Sequence, residues 1–386
     1  MLGLALAAGC GSEGMLGAPP AVHPTDVGRA GDGALADQLE LIRGTHRLPA
    51  LAAVTFSPDG VVEMGVSGVR ALGHTELVTA DDEWHVGSLT KSMTATLAAI
   101  LVEEGRLGWR TTVGDIFPDL PRRAEYDAVT LTDLLTNSSG MTGDATSAPS
   151  WGGLATSAQS LRAQRRQLTK EYLAMAPSSV RGTFSYSNAG YIVAGAMLEE
   201  VTGEAWEDLL TRLVFAPLDM KSAGFGPPSG AEPVAEPWGH AIADDGFGPT
   251  PPGPAADNPP AIGPAGTVHA SLADLARYYR VHLGNGDAAG SGAAPLLSSA
   301  SLAFLHQPAP GTFYACGWGV AERSWAGGVA LQHDGSNNFW YADVWLAPSR
   351  GFGVLVVTNG GGLRASTATN DAATMLITRF TGEPPR

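Results

Sequence analysis

The sequence predicts an α+β fold: an antiparallel β-sheet flanked by an N-terminal and a C-terminal helix, with a large, mainly helical subdomain inserted between two halves of the sheet. Three observations carry this reading. A hairpin pattern stands near the N-terminus, and a set of β-branched and aromatic runs stands near the C-terminus. Within each set the turns are short, which makes neighbouring strands antiparallel.

In chain order, residues 2–9 form a short apolar stretch that ends at Cys10 and is followed by Gly11-Ser12-Glu13-Gly14. This is similar to the end of a bacterial lipoprotein signal, so residues 1–10 are expected to be a signal with Cys10 lipidated, and the Gly-, Ala- and Pro-rich residues 11–33 a flexible tether. A tail with an incidental cysteine in a cytoplasmic protein is the alternative. No other apolar run reaches the roughly 18 residues of a membrane helix, so a lipid would be the sole membrane link and the cell envelope the expected location.

One catalytic domain is expected over 34–384, with its α/β part at about 34–82 and 326–384 and its helical part at about 83–325. Leu35, Leu39 and Ile42 share one helix face. Leu51–Phe56 and Val61–Val66 flank the turn Ser57-Pro58-Asp59-Gly60, a hairpin signal. Val329–His333, Phe339–Leu346 and Phe352–Thr358 read as strands, the last two joined by Pro348-Ser349-Arg350-Gly351. Ala372, Met375, Leu376 and Phe380 mark a closing amphipathic helix. The Pro-rich stretch 226–264 is expected to be irregular, either a surface insertion or a loop over a site.

Composition removes several function classes. A net charge of −15 without any basic run argues against nucleic-acid binding. Two cysteines far apart make no disulfide framework, and Cys316 is expected to be a small buried residue. Neither HxH nor HExxH occurs, so no metal and no cofactor are expected.

The chain has only three lysines, Lys91, Lys170 and Lys221. Lys91 follows Ser88 by three residues in Gly87-Ser88-Leu89-Thr90-Lys91. Leu89, Met93, Leu97 and Leu101 recur every four residues, so Ser88 is expected to open a helix that Gly105 ends, with Lys91 one turn away on the same face. A lysine whose charge is suppressed can take the serine proton, and N–H groups at a helix start favour the charge that develops on attack. A second cluster, Tyr186-Ser187-Asn188, precedes a helix and can offer a phenol and an amide to one cleft. The third is His333-Asp334-Gly335-Ser336 at a strand end, where free backbone N–H groups can meet a carbonyl oxygen. His85-Val86-Gly87 also has the HxG form but lacks that position.

In this order, SxxK, YxN and HxG resemble the serine β-lactamase and DD-peptidase superfamily, in the branch with class C β-lactamases, DD-carboxypeptidases, D-aminopeptidases and esterases. The likeness spans about 34–380 and includes Leu134–Met141, Pro264–Leu275 and Tyr314–Gly319. It implies the β-lactamase/transpeptidase-like fold and a serine hydrolase acting on an amide, β-lactam or ester, with a small-molecule or peptidoglycan-type substrate. By the same resemblance Ser88 is the nucleophile and Lys91 its base. Tyr186 relays a proton, Asn188 holds a substrate amide or acyl side chain, and His333 stands where β-lactamases carry Lys. The N–H groups of Ser88 and Ser336 form the oxyanion hole, with Gly335 beside them. A penicillin sensor that acylates without turnover is the alternative. Two departures stand out: Asn137 replaces a His, which is expected to alter only loop packing, and Asp334 replaces a small residue. An Asp334 facing the cleft would repel substrate carboxylates and favour neutral esters or cationic amides; pairing with an Arg is the other expectation.

Overall fold

The computed structural model describes residues 27–228, 233–243, 246–284 and 295–382. Cys10 lies outside the described residues. At the centre is a six-stranded antiparallel sheet of order β2-β1-β11-β10-β9-β8, with β1 Ala50–Ser57, β2 Gly60–Gly68, β8 Gly319–Arg323, β9 Gly328–Ser336, β10 Tyr341–Ala347 and β11 Phe352–Thr358. The predicted hairpin is β1–β2, and β1 pairs with β11, Val54 opposite Leu355, which ties the two ends of the chain into one sheet.

Period-two alternation sorts the side chains. Ala52, Val54, Phe56, Val344 and Leu355 face the inserted subdomain, whereas Leu51, Ala53, Val354 and Val356 face α1 (Leu35–His46) and the C-terminal helix Gly362–Thr381. The residues that predict α1, Leu35, Leu39 and Ile42, are its buried ones. Burial of each such side chain contributes about 1.5–3 kcal/mol. In the other layer, α2 (Thr90–Glu103) is buried at every residue from Thr90 to Leu101 and forms the axis of the helical half. No helix among the described residues is long and apolar enough to cross a membrane.

The structure corrects or adds to the expectations at five points. The sheet half begins at Gly319 rather than about 326, because β8 adds an edge strand against β9. The insert is not helical throughout: β3 (Glu83–His85), β7 (Val268–Ser271) and β4 (Gly224–Phe225) form a small sheet in that order. Within 226–264, where irregular structure is expected, β5 (Gly239–Ala243) pairs with β6 (Gly246–Thr250). Gly239 makes this hairpin fit, since a Cβ there would lie 2.5–2.8 Å from Phe339 and Trp340, while His240 N–H bonds to Phe339 O at 2.9 Å.

The last residues of the expected tether, 27–33, are held in place. The buried Arg379 guanidinium binds the carboxylates of Asp32 and Glu63 and the carbonyls of Val27 and Arg29. Finally, Ser88 does not open α2; it lies in a 3-10 turn, Gly87–Leu89, and the helix starts at Thr90. The chain must reverse tightly between β3 and α2 here, and Gly87 does so with φ of +52°.

Candidate active site

Ser88 and Lys91 meet as the spacing predicts. Lys91 Nζ lies 3.0 Å from Ser88 Oγ, 2.7 Å from Asn188 Oδ1 and 2.7 Å from Ala265 O. The side chain is 0% exposed, and no carboxylate forms an ion pair with it among the described residues. Burial therefore pushes the Lys91 amine well below its ordinary 10.5, opposed only by the more distant charge of Asp334. A neutral amine has two N–H groups and one lone pair. Asn188 and Ala265 accept the two N–H groups, which leaves the lone pair aimed at the Ser88 hydroxyl.

Thr94 Oγ1 donates to Pro264 O at 2.7 Å and Thr90 Oγ1 accepts from Val268 N at 3.1 Å, so α2 and the strip 264–268 are laced together on both sides of Lys91. This is what brings the Ala265 carbonyl to the amine.

Tyr186 sits in the turn before the helix Asn188–Thr202, which Ser187 caps by accepting from Gly190 N at 2.9 Å. Its ring centroid is 4.8 Å from Lys91 Nζ, and its hydroxyl is hydrogen-bonded to Ser88. Burial raises the phenol above its ordinary 10, with the Ser88 bond opposing and Asp334 adding to the rise, so the phenol carries its proton at neutral pH. Asn188 stands at the first position of its helix with Oδ1 engaged by Lys91. The amide NH₂ is the group it can offer a substrate carbonyl.

On β9, His333 is buried, with Nε2 2.8 Å from Tyr314 Oη and Nδ1 2.6 Å from Asp334 O. The carbonyl requires the proton on Nδ1, so Tyr314 donates to Nε2. Burial pulls His333 down to about 4, against the pull of Asp334, and the ring is neutral at pH 7. A Cβ on Gly335 would lie 2.6 Å from Ser88 N, and one on Gly87 2.4 Å from Ser336 N, so the strand and the Ser88 turn are in backbone contact. Ser336 Oγ donates to Trp340 O at 2.6 Å.

Asp334 differs from both expectations. Alternation places it on the face of β9 opposite His333 and Gly335, where the Tyr341 hydroxyl donates to its Oδ2, and no Arg pairs with it among the described residues. Its charge is nevertheless felt at Lys91, Tyr186 and His333.

Asn137 does more than alter loop packing. It holds φ of +53°, a region Asn tolerates, and its Oδ1 and O accept from Ser187 N at 3.0 Å and Ser185 N at 2.8 Å, pinning the turn on both sides of Tyr186. Sequence reasoning also missed Tyr314 and the Ala265 carbonyl. A backbone oxygen has no side-chain signature, and the clue to Tyr314 was its place at the start of the resembling stretch Tyr314–Gly319. Cys316 is free and buried, its thiol pushed up to about 12 by burial. No group of three or more His, Cys, Asp or Glu among the described residues is disposed to hold a metal ion.

The Beta-lactamase family model matches residues 34–378. Penicillin-binding protein 4 of Amycolatopsis lactamdurans is 31% identical over 338 residues, covering 84% of each chain. The octameric penicillin-binding protein homologue from Pyrococcus abyssi superposes with a TM-score of 0.70 at 21% identity, over 91% of this chain and 78% of that one. A D-stereospecific amidohydrolase from a Streptomyces species gives 0.70 at 20% identity, over 91% and 99%. At these identities the structural likenesses speak to the fold alone.

Proposed function

The chain belongs to the β-lactamase family, and from that premise we propose that it is a serine hydrolase that cleaves an ester or amide bond through an acyl-enzyme on Ser88. The observation that carries this is Lys91, fully buried among neutral acceptors and 3.0 Å from Ser88 Oγ. Lys91 takes the Ser88 proton as Oγ attacks the substrate carbonyl carbon. The oxyanion forms between the N–H groups of Ser88 and Ser336. As the bond to the leaving nitrogen or oxygen breaks, Tyr186 gives that atom its proton and is reprotonated from the Lys91 ammonium. Water then cleaves the Ser88 ester, releasing the acid and restoring the hydroxyl.

Burial disfavours the charged form of Lys91 and leaves His333 neutral at pH 7, so the site sets little positive charge against a substrate carboxylate, and the field of Asp334 opposes one. This supports neutral esters, or amides that lack a carboxylate such as D-amino-acid amides with their cationic amine, over D-Ala-D-Ala ends. Rings run outward from His333 through Tyr314 and Phe184 to Phe313, which is 57% exposed, and this supports an apolar side chain on the substrate. The name of the Amycolatopsis relative favours a second reading, acylation by penicillins with slow release. The Cys10 pattern supports attachment to the cell envelope, testable by lipid labelling of the wild type beside Cys10→Ser.

Intact-mass spectrometry after exposure to benzylpenicillin and to a fluorophosphonate, with Ser88→Ala alongside, tests the mechanism. A Ser88-dependent adduct is expected, with an activated ester turned over faster than penicillin. The absence of any Ser88-dependent adduct overturns the reading, and a lasting penicillin adduct without ester turnover replaces it with the second.

A further inference from the structure

The proposed oxyanion hole takes one N–H from the turn after β3 and one from the end of β9, two elements that are not neighbours in any sheet. Backbone contact between Gly87 and Ser336 keeps them close. It does not by itself keep the two N–H groups aimed at one point.

A buried network does that. His85, at the end of β3, is 1% exposed, and its Nδ1 accepts the N–H of Gly87 at 3.2 Å. The proton is therefore on Nε2, which donates to Asp257 Oδ2 at 2.9 Å. Asp257 Oδ1 accepts from Asn337 Nδ2 at 2.9 Å, and from Asn258 N at 2.8 Å. Asn337, directly after Ser336, also donates to Ala256 O at 3.2 Å, while its Oδ1 accepts the N–H groups of Phe339 and Trp340 at 3.1 and 3.2 Å. The His85 ring stacks on Trp340 with centroids 5.5 Å apart. Every polar atom of these three side chains is engaged, in a place where an unmet one would be costly.

We propose that His85, Asp257 and Asn337 are positioning residues that set the spacing and aim of the two oxyanion-hole N–H groups. Asp257, within the Pro-rich segment, is the strut between them: through His85 it holds the peptide of Gly87 ahead of Ser88, and through Asn337 it holds the residue after Ser336. The network never touches substrate. It acts only through the backbone geometry that meets the developing oxyanion, and so rests on the Ser88 acyl-enzyme reading.

The test uses the full chain with Asp257→Asn, which keeps the volume but replaces one accepting oxygen by a donor, and His85→Phe, which keeps the ring on Trp340 but loses both hydrogen bonds. The readouts are kcat and KM for p-nitrophenyl butyrate, inhibition by phenylboronic acid, whose tetrahedral serine adduct mimics the oxyanion, and the thermal midpoint. A misaimed site costs on the order of 100-fold. Accordingly kcat and boronic-acid affinity are expected to fall together by about 10- to 100-fold, with KM unchanged within about threefold. A folded variant with wild-type kcat, or with reduced kcat but wild-type boronic-acid affinity, overturns the proposal. So does failure of both variants to fold, which would make the network a structural buttress. If the wild type itself neither hydrolyses the ester nor is inhibited in a Ser88-dependent way, the acyl-enzyme reading falls first and the proposal with it.

Discussion

Arg165 and Lys91 are both 0% exposed, but their surroundings are opposite. Arg165, on the helix Leu161–Ala174, donates to Glu199 at 2.6 and 3.0 Å and to Glu207 at 2.7 and 2.9 Å, and Glu199 also accepts from Trp206 N. Among the described residues, Lys91 has as hydrogen-bond partners a hydroxyl, an amide oxygen and a backbone carbonyl. Where the chain buries a cation to join three helices, it supplies counter-charge. Where it buries one beside Ser88, it withholds counter-charge, and burial without compensation favours the uncharged amine. The contrast separates an architectural from a chemical use of the same burial.

Exchanging each cation for methionine puts the comparison under the greatest strain. Lys91→Met removes the base, and hydrolysis of an activated ester is expected to fall by about 10²- to 10⁴-fold while the thermal midpoint holds or rises. Lys91→Arg should be no better, because a guanidinium stays protonated. Arg165→Met is expected to do the reverse, destabilising the fold by about 3–5 kcal/mol in urea unfolding because Glu199 is left buried without its partner. Equal losses of stability in the two methionine variants would dissolve the distinction.

The pH profile sharpens it. Only neutral Lys91 accepts a proton, so acylation should rise with pH through an acid limb lying below 10.5, and Lys91→Met should lack that limb. The linked stability has a definite sign. The unfolded lysine binds a proton below 10.5 that the folded one does not hold until its lowered value is reached, so between the two Lys91 makes stability increase with pH. His240, His269, His306 and His333, each drawn down to about 4 by burial, add the same sign between 4 and 6.5, and the thermal midpoint should drop as pH falls through that window.

The smallest effect belongs to Asn137→Gly. It keeps the backbone at φ +53° and removes only the Oδ1 bond to Ser187, worth about 0.5–1.5 kcal/mol. A loss of several-fold in kcat is expected, since the turn carrying Tyr186 loses one of its two ties to Asn137.

Legibility follows the range of the interaction. The hairpin and α1 were readable because turn chemistry and apolar period act within a dozen residues. Ser88 and Lys91 were readable for the same reason, three residues apart with one face between them. The hairpin β5–β6 was not readable, because its Gly and Pro content looks irregular until Trp340 lies against Gly239. The partner of Asp334, expected to be either the cleft or an Arg, was not readable, since a strand residue's face and neighbours depend on its register with β10. His85 was set aside as a stray HxG because Asp257 is 172 residues away.

By itself, then, the sequence determined the α+β outline, the two ends of the sheet and the residue types available for acyl transfer, since all of these rest on local periods and on which atoms a side chain carries. Tertiary structure decided which groups meet. It brought the Ala265 carbonyl and Asn188 to Lys91, turned Asp334 toward Tyr341 and joined His85 to Asn337 through Asp257. Burial and distance are properties of the packed chain, and they set whether an amine beside a hydroxyl is a charge or a base.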